Sequence, residues 1–383
     1  VSRIDDLISE LAPQGAQYRR VGDVFETVAT PRGIKRSDYS LGGTIPIVDQ
    51  GQSLIAGYTD NVSLKIGEGP YIVFGDHTRA VKWIDFPFAV GADGTKVLKA
   101  KSGILSKYLY YTMANLDITD RGYNRHWTIV RDIRIPVPPL EVQREIVHVL
   151  DKFTQLEAEL KAELEARRRQ YEHYRRLQMA FDDNVPRIEL GELVEVRSGW
   201  GFPNAEQGAA EGELPFYKVS DMNLPGNETV MSNSNNYVSA STARKLGVRP
   251  APAGSVIFPK IGAAVATNKK RLLSVPSAYD NNVMGLIPGP RVTSKFLYHW
   301  LQTFDLSRLA NDSGAVPSIR KSEAERVLVP MPAYSEQVRI ASLLDKFEVL
   351  VNDVSVGLPG ELDARRKQYE YYRDRLLTFK EAV

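Results

Sequence analysis

The side chains able to do covalent chemistry are few in this chain and badly spaced for it. There is no cysteine, so thiolate nucleophiles, disulfides and cysteine-ligated zinc are excluded. The five histidines, His77, His126, His148, His173 and His299, show no metal-ligand spacing. No HExxH, GxxxxGK[ST] or GxSxG segment occurs, and no glycine-rich strand-to-helix turn could cradle a nucleotide. Asp76 and His77 are neighbours, but adjacent positions at a strand end point apart. Neither a catalytic residue nor a metal site is expected.

What the chain does offer is recognition chemistry. Gly75-Asp76-His77-Thr78-Arg79 follows a β-prone run, so its polar side chains should emerge at a strand end. Lys260 and the small residues after it follow a second such run, where backbone could approach a phosphate closely. Asn268-Lys269-Lys270-Arg271 combines an amide with three cations, and Asn124-Arg125-His126-Trp127 adds an aromatic ring. Asn can pair with adenine, and Arg with guanine, through two hydrogen bonds. From Thr229 to Tyr279, and again from Gly94 to Leu116, there is no acidic residue, which makes two local positive patches. The net charge of +2 is too small to point to a polyanion partner by itself. Each of these side chains equally fits a solvated or structural role.

The elements that must position them are dictated by a repeat. IPVPPLEVQREIVHVLDKF, ending at Phe153, returns as VPMPAYSEQVRIASLLDKF, ending at Phe347. ARRRQYEHYR (166–175) returns as ARRKQYEYYR (364–373). Apolar residues such as Ile146, Val149, Phe153, Leu156, Tyr171 and Tyr174 recur at three-then-four spacing, as do Ile340, Leu343, Phe347, Leu350, Tyr369 and Tyr372. Two long helices are therefore expected, each entered through prolines. A helix from Leu140 to Phe181 would be roughly 60 Å long at about 1.5 Å per residue. The second copy carries four more residues around Gly357-Leu358-Pro359-Gly360, where a kink or break is expected. An apolar stripe on each helix is best covered by the other copy. The tyrosines and arginines beyond it form either a solvated face or a dock for a partner protein.

The blocks between the helices open alike, with Val21-Gly22-Asp23-Val24 against Leu190-Gly191-Glu192-Leu193, and close alike, with SKYLYY (106–111) against SKFLYH (294–299). Short β-prone runs separated by Gly, Asn and Pro lie between. The expected fold class is α+β: two similar mainly-β domains, residues 1–135 and 183–329, separated by spacer helices over 136–182 and 330–383. The helices should pack as an antiparallel coiled coil with pseudo-twofold symmetry. The absence of cysteine favours a reducing cytoplasm, so a cytoplasmic location is expected; no apolar run is long enough to span a membrane, and no signal-peptide pattern opens the sequence.

These residues resemble a known family. The paired LLDKF-like segments, ARRKQYEYYR, the proline-flanked helix entries, FGDHTR (74–79) and PFYKVSDMN (215–223) are similar to those of specificity subunits of type I restriction–modification systems. The resemblance covers essentially the whole chain. It implies two target-recognition domains that read the halves of a split site on double-stranded DNA. The expected DNA contacts are His77, Arg79, Lys82, Arg125, Trp127, Lys218, Lys260, Asn268, Lys269, Lys270 and Arg271. It also implies that the helices dock two methyltransferase subunits, through Tyr171, Tyr174, Arg175, Tyr369, Tyr372 and Arg373, with restriction subunits joining in the full complex. No cofactor is expected on this chain; S-adenosylmethionine, ATP and Mg would be held by those partners. The alternative is a coiled-coil scaffold that binds proteins and no DNA.

Overall fold

The computed structural model describes residues 2–311, 316–352 and 357–382. The chain forms two compact units. The first runs to Ala158 and resumes at Arg365, and the second spans Glu159–Ala364. Each unit thus joins a globular block to stretches of two helices, a grouping the repeats alone do not reveal.

The helices that matter are α1 (Ser106–Ala114), α2 (Leu140–Gln178), α3 (Ser294–Thr303), α4 (Tyr334–Asn352) and α5 (Leu358–Leu377). Pro359 and Gly360 lie in the first turn of α5, where a proline removes no helical hydrogen bond; residues 353–356 lie outside the described ones. Among the described residues no helix is long and apolar enough to cross a membrane.

In the first unit a four-stranded antiparallel sheet is built from β1 (Phe25–Thr27), β3 (Tyr71–Gly75), β4 (Val81–Ile84) and β6 (Thr95–Ala100), in the order β1-β6-β3-β4. A second sheet pairs β2 (Ile45–Val48) parallel to β5 (Phe88–Val90), with Val48 opposite Val90. The second unit repeats this plan. Its β7 (Val194–Ser198), β9 (Val256–Pro259), β10 (Arg271–Leu273) and β12 (Val283–Pro288) run in the order β7-β12-β9-β10, with Val230–Met231 added at the edge. There β8 (Leu214–Tyr217) lies parallel to β11 (Ala278–Tyr279), with Tyr217 opposite Tyr279. Even the register agrees: Ile72 faces Leu98 in one unit, and Val256 faces Leu286 in the other. Two sequences with divergent loops therefore share one framework.

Each unit holds an antiparallel helix pair. In the first, Phe153 of α2 packs on Tyr369 and Tyr372 of α5, and Glu157, one turn on, meets Arg366. Rising numbers on α2 meet falling numbers on α5. In the second, Tyr174 of α2 stacks on Phe347 of α4, while Gln178 meets Arg339. Leu156 and Leu350, expected in the seam, are exposed. A strict 3.5-residue stripe drifts by ~20° per heptad on a 3.6-residue helix, so distant members of one stripe do not all face the partner.

The repeat residues dock each pair onto its own globular block. Gln143, fully buried, accepts from the Leu105 N–H at 2.9 Å and donates to the Pro138 carbonyl at 2.8 Å. Its counterpart Gln337 accepts from the Thr293 N–H at 3.0 Å and donates to the carbonyls of Pro332 and Arg291. Asp151 pairs with Lys107 of α1, and Asp345 with Lys295 of α3. After α5 the chain returns to the first unit: the Ala16 N–H donates to Lys380, and the Ala382 N–H to Ala16. Gly15 permits this approach, having φ of +98° and no room for a Cβ against the Lys380 carbonyl.

Candidate nucleic-acid interface

The polar loops lie at equivalent strand ends in the two units. In the first, Asp49 leaves β2, Asp76 leaves β3 and Gly91 leaves β5. At the matching ends of β8, β9 and β11 the second unit has Lys218, Lys260 and Asp280. The frame is shared, but the charges at its rim are not.

In the first unit two segments expected to be separate loops come together. Buried Asp76 accepts from the Trp127 N–H at 2.6 Å, and its carbonyl accepts from the His126 N–H at 2.8 Å. His126 is itself buried, with Nδ1 2.9 Å from the same carbonyl and Nε2 accepting from the Arg121 N–H at 3.2 Å. Because Nε2 accepts, the ring proton belongs on Nδ1 and donates to Asp76. His77 takes the Gln50 side chain onto its N–H, and its ring stacks on Tyr123. Arg79 sits at φ +62° and holds the Ile118 carbonyl and Asp120. Arg125 points to solvent.

Two of the expected contacts here are turned inward. Lys82 is buried and donates to the carbonyls of Asp49 and Ser53, with Asp49 Oδ1 at 3.7 Å. Burial pulls its ammonium down and Asp49 partly restores it. Lys82 therefore shapes the 49–53 loop and does not reach a ligand. Trp127 packs on Phe74 as part of the wall of the fold.

The second unit corrects the Asn268–Arg271 cluster in the same way. Asn268, in the left-handed region at φ +54°, accepts from Lys270 Nζ at 2.8 Å and from the Leu306 N–H at 2.9 Å. Lys270 is wholly buried, also holds the Phe304 carbonyl, and is pulled down to about 8 by burial. Arg271 bonds the carbonyls of Lys270 and Met222. Asn268, Lys270 and Arg271 thus brace the fold, with Arg271 half-buried, and Lys269, also half-buried, is tied to the Asn223 side chain. Lys218 and Lys260 sit half-buried at the rim, reaching Gln207 and Ser198. Between them burial pushes the Asp280 carboxyl up, against hydrogen bonds from Asn282.

The expected partner-docking residues are largely used inside the chain. Tyr171 is buried, Arg175 lies over its ring at 4.2 Å and pairs with buried Glu348 at 3.5 Å, and Tyr174 stacks on Phe347. Tyr369 and Tyr372 pack on Phe153, and Arg373 covers Tyr369. The rings of these helices that stay exposed include Tyr174, Tyr371, His148 and His173. One trio among the described residues, His299, Asp345 and Glu348, brings donor atoms within 4.8 Å of one another. Lys295 and Arg175 already pair with its two carboxylates, so charge is balanced there without an ion.

Sequence comparison joins this geometry to known proteins. A family model for the type I restriction modification DNA specificity domain matches residues 13–166 and 183–362, one match for each half of the repeat. The chain belongs to the type I restriction–modification DNA specificity family. A type I restriction enzyme specificity subunit of Escherichia coli is 31% identical over 368 residues, covering 90% of both chains. A putative type I specificity subunit of Haemophilus influenzae is 27% identical, covering 95% of both. The fold is also that of solved proteins: a type I system S subunit from M. genitalium aligns with a TM-score of 0.55 at 16% identity, covering 94% of both chains. A structure from a study of type I complex assembly aligns with a TM-score of 0.58 at 15% identity, covering 95% of this chain and 97% of that one. This specificity-family chain is thus a non-catalytic subunit whose work is recognition of DNA. Sequence reasoning missed Tyr123 and Arg121; the glycine between them in RGYNR was the available signal of a tight, projecting turn.

Proposed function

We propose that the two globular blocks, bounded near residues 1–135 and 183–329, each read one half of a bipartite site on duplex DNA. The helices set the gap between the halves and carry two methyltransferase subunits, with restriction subunits joining them. Those partners hold S-adenosylmethionine, ATP and Mg. The observation that carries this reading is the shared framework with unlike rims: Asp49, Asp76 and Gly91 in one unit stand where Lys218, Lys260 and Asp280 stand in the other. A common scaffold with different side chains at equivalent strand ends is what two readers of different sequences need. Rim cations, Arg125 exposed and Lys218, Lys260 and Lys269 half-buried, give register on phosphates, and neighbouring loop groups give base discrimination.

Two such readers on one face of a duplex must bind half-sites about one helical turn apart, or a multiple, roughly 10 bp centre to centre. The test is to purify the subunit with an adenine methyltransferase and map the methylated sites. A split motif is expected, together with duplex binding that weakens steeply as salt rises. Insertion of one helical turn into the spacer should widen the preferred gap and leave both half-sites unchanged. A continuous motif, or a gap indifferent to the insertion, would overturn the proposal.

A further inference from the structure

The Asp120–Arg125 loop of the first unit is built as a stiff finger with an aromatic ring at its tip. Arg79 pins the root, donating to the Ile118 carbonyl and to Asp120 Oδ2, both at 2.8 Å. Asp120 Oδ1 accepts from the Gly122 N–H at 2.8 Å, and the Asn124 side-chain amide donates to the Arg121 carbonyl. The Arg121 N–H ends on buried His126, which Asp76 holds in place. Gly122 supplies the positive φ, +65°, that the turn requires.

On this support Tyr123 is 80% exposed, while its ring lies 4.3 Å from that of His77 and within 7° of parallel. Scattered exposed rings are ordinary on protein surfaces. What distinguishes this one is that it is backed by a second ring, held by a braced loop, and flanked by the exposed cations Arg121 and Arg125. One face of the tyrosine is taken by His77, which leaves the other free. A bare, pre-positioned π-face between two cations matches a nucleobase whose own face is uncovered, between phosphates.

We infer that Tyr123 is a DNA-deforming contact: its free face stacks on a base exposed at a kinked or unstacked step, while Arg121 and Arg125 take the flanking phosphates. This rests on the reading that the first unit meets duplex DNA. Stacking of this kind is tolerant of sequence, because every base has a π-face, so Tyr123 contributes affinity and local unstacking and leaves base identity to other groups. His77 acts as the backing plate that keeps the ring from swinging away.

The test uses the full subunit assembled with its methyltransferase partners and a duplex bearing the mapped site, with 2-aminopurine placed at successive steps of the first half-site. The wild-type complex should raise the fluorescence at one step. Tyr123→Ala should abolish that rise and weaken binding about tenfold or more, with the salt dependence unchanged. Tyr123→Phe should retain both, and Arg121→Gln should flatten the salt dependence while keeping the fluorescence. Tyr123 is exposed, so the alanine variant should melt with the wild type. A Tyr123→Ala complex that binds and unstacks like wild type would overturn the inference. Wild-type binding that ignores salt would instead overturn the DNA reading on which it stands.

Discussion

Replacing Gln143 or Gln337 by alanine tests whether the repeated helices are docked as the structure indicates. Both side chains are about 1% exposed, so neither lost partner has ready access to water. Gln143→Ala strands the Leu105 N–H and the Pro138 carbonyl, at roughly 1–3 kcal/mol for each orphaned buried group. Partial relaxation should bring the sum to about 2–4 kcal/mol. Gln337→Ala strands the Thr293 N–H and the carbonyls of Pro332 and Arg291, so its cost should be greater by about 1 kcal/mol. Each loss is confined to one unit, because all of Gln143's partners lie in the first and all of Gln337's in the second.

A single melting temperature averages over two units and would blur this. Hydrogen exchange on the intact chain separates them: Gln143→Ala should expose the Leu105 amide and leave Thr293 protected, and Gln337→Ala should do the reverse. Gln143→Glu is the sharper variant. It keeps an acceptor for Leu105 but sets an oxygen against the Pro138 carbonyl, so stability should fall while the Leu105 amide stays protected. The docking argument fails if either alanine variant lies within about 0.5 kcal/mol of wild type, or if both amides respond to both substitutions.

Lys270 should make the second unit more stable as pH rises. Its pKa in the folded state, about 8, lies below that of an unfolded lysine, so the unfolded chain binds more protons between the two. The gain should begin near pH 8 and total at most roughly 3 kcal/mol. Buried Tyr217 and Tyr279, pushed up to about 12, act in the opposite sense above pH 10, so the window to measure is pH 8 to 9.5. Denaturant titrations of wild type and Lys270→Met should diverge in slope across it; parallel profiles would refute the assignment. At the first unit's rim, Lys82→Met should lower DNA affinity without changing its salt dependence, since the ammonium is buried on Asp49 and Ser53. Arg125→Gln should reduce the salt slope by about one. Equal salt effects in titrations of the two variants would place Lys82 at the phosphates after all.

The repeat was legible because the residues that recur perform the same contacts twice. Gln143 and Gln337 each cap a globular block, and Asp151 and Asp345 each take a lysine from the helix before them. Which cations face solvent was not legible. Lys270 and Arg271 lie in a run that reads as a basic loop, and only the folded chain shows carbonyls waiting inside for them and for Lys82. A lysine stem is apolar enough to be buried and its head polar enough to look exposed, so composition cannot choose between the two. The tyrosines of the helices failed for the complementary reason. Tyr171 and Tyr369 look like interface residues because they are, but the interface is within the chain.

That inward use of charge bears on how specificity can diverge. Buried Lys82 and Lys270 hold their loops from beneath, through carbonyl oxygens that any residue supplies. The exposed side chains above are then free to differ, while the groups at equivalent strand ends are exchanged together with their local partners: Asp49 and Asp76 hold Lys82 and the Trp127 N–H in one unit, and Lys218 and Lys260 reach Gln207 and Ser198 in the other. A frame braced through its backbone lets the two rims differ in charge while the strand register beneath them stays the same.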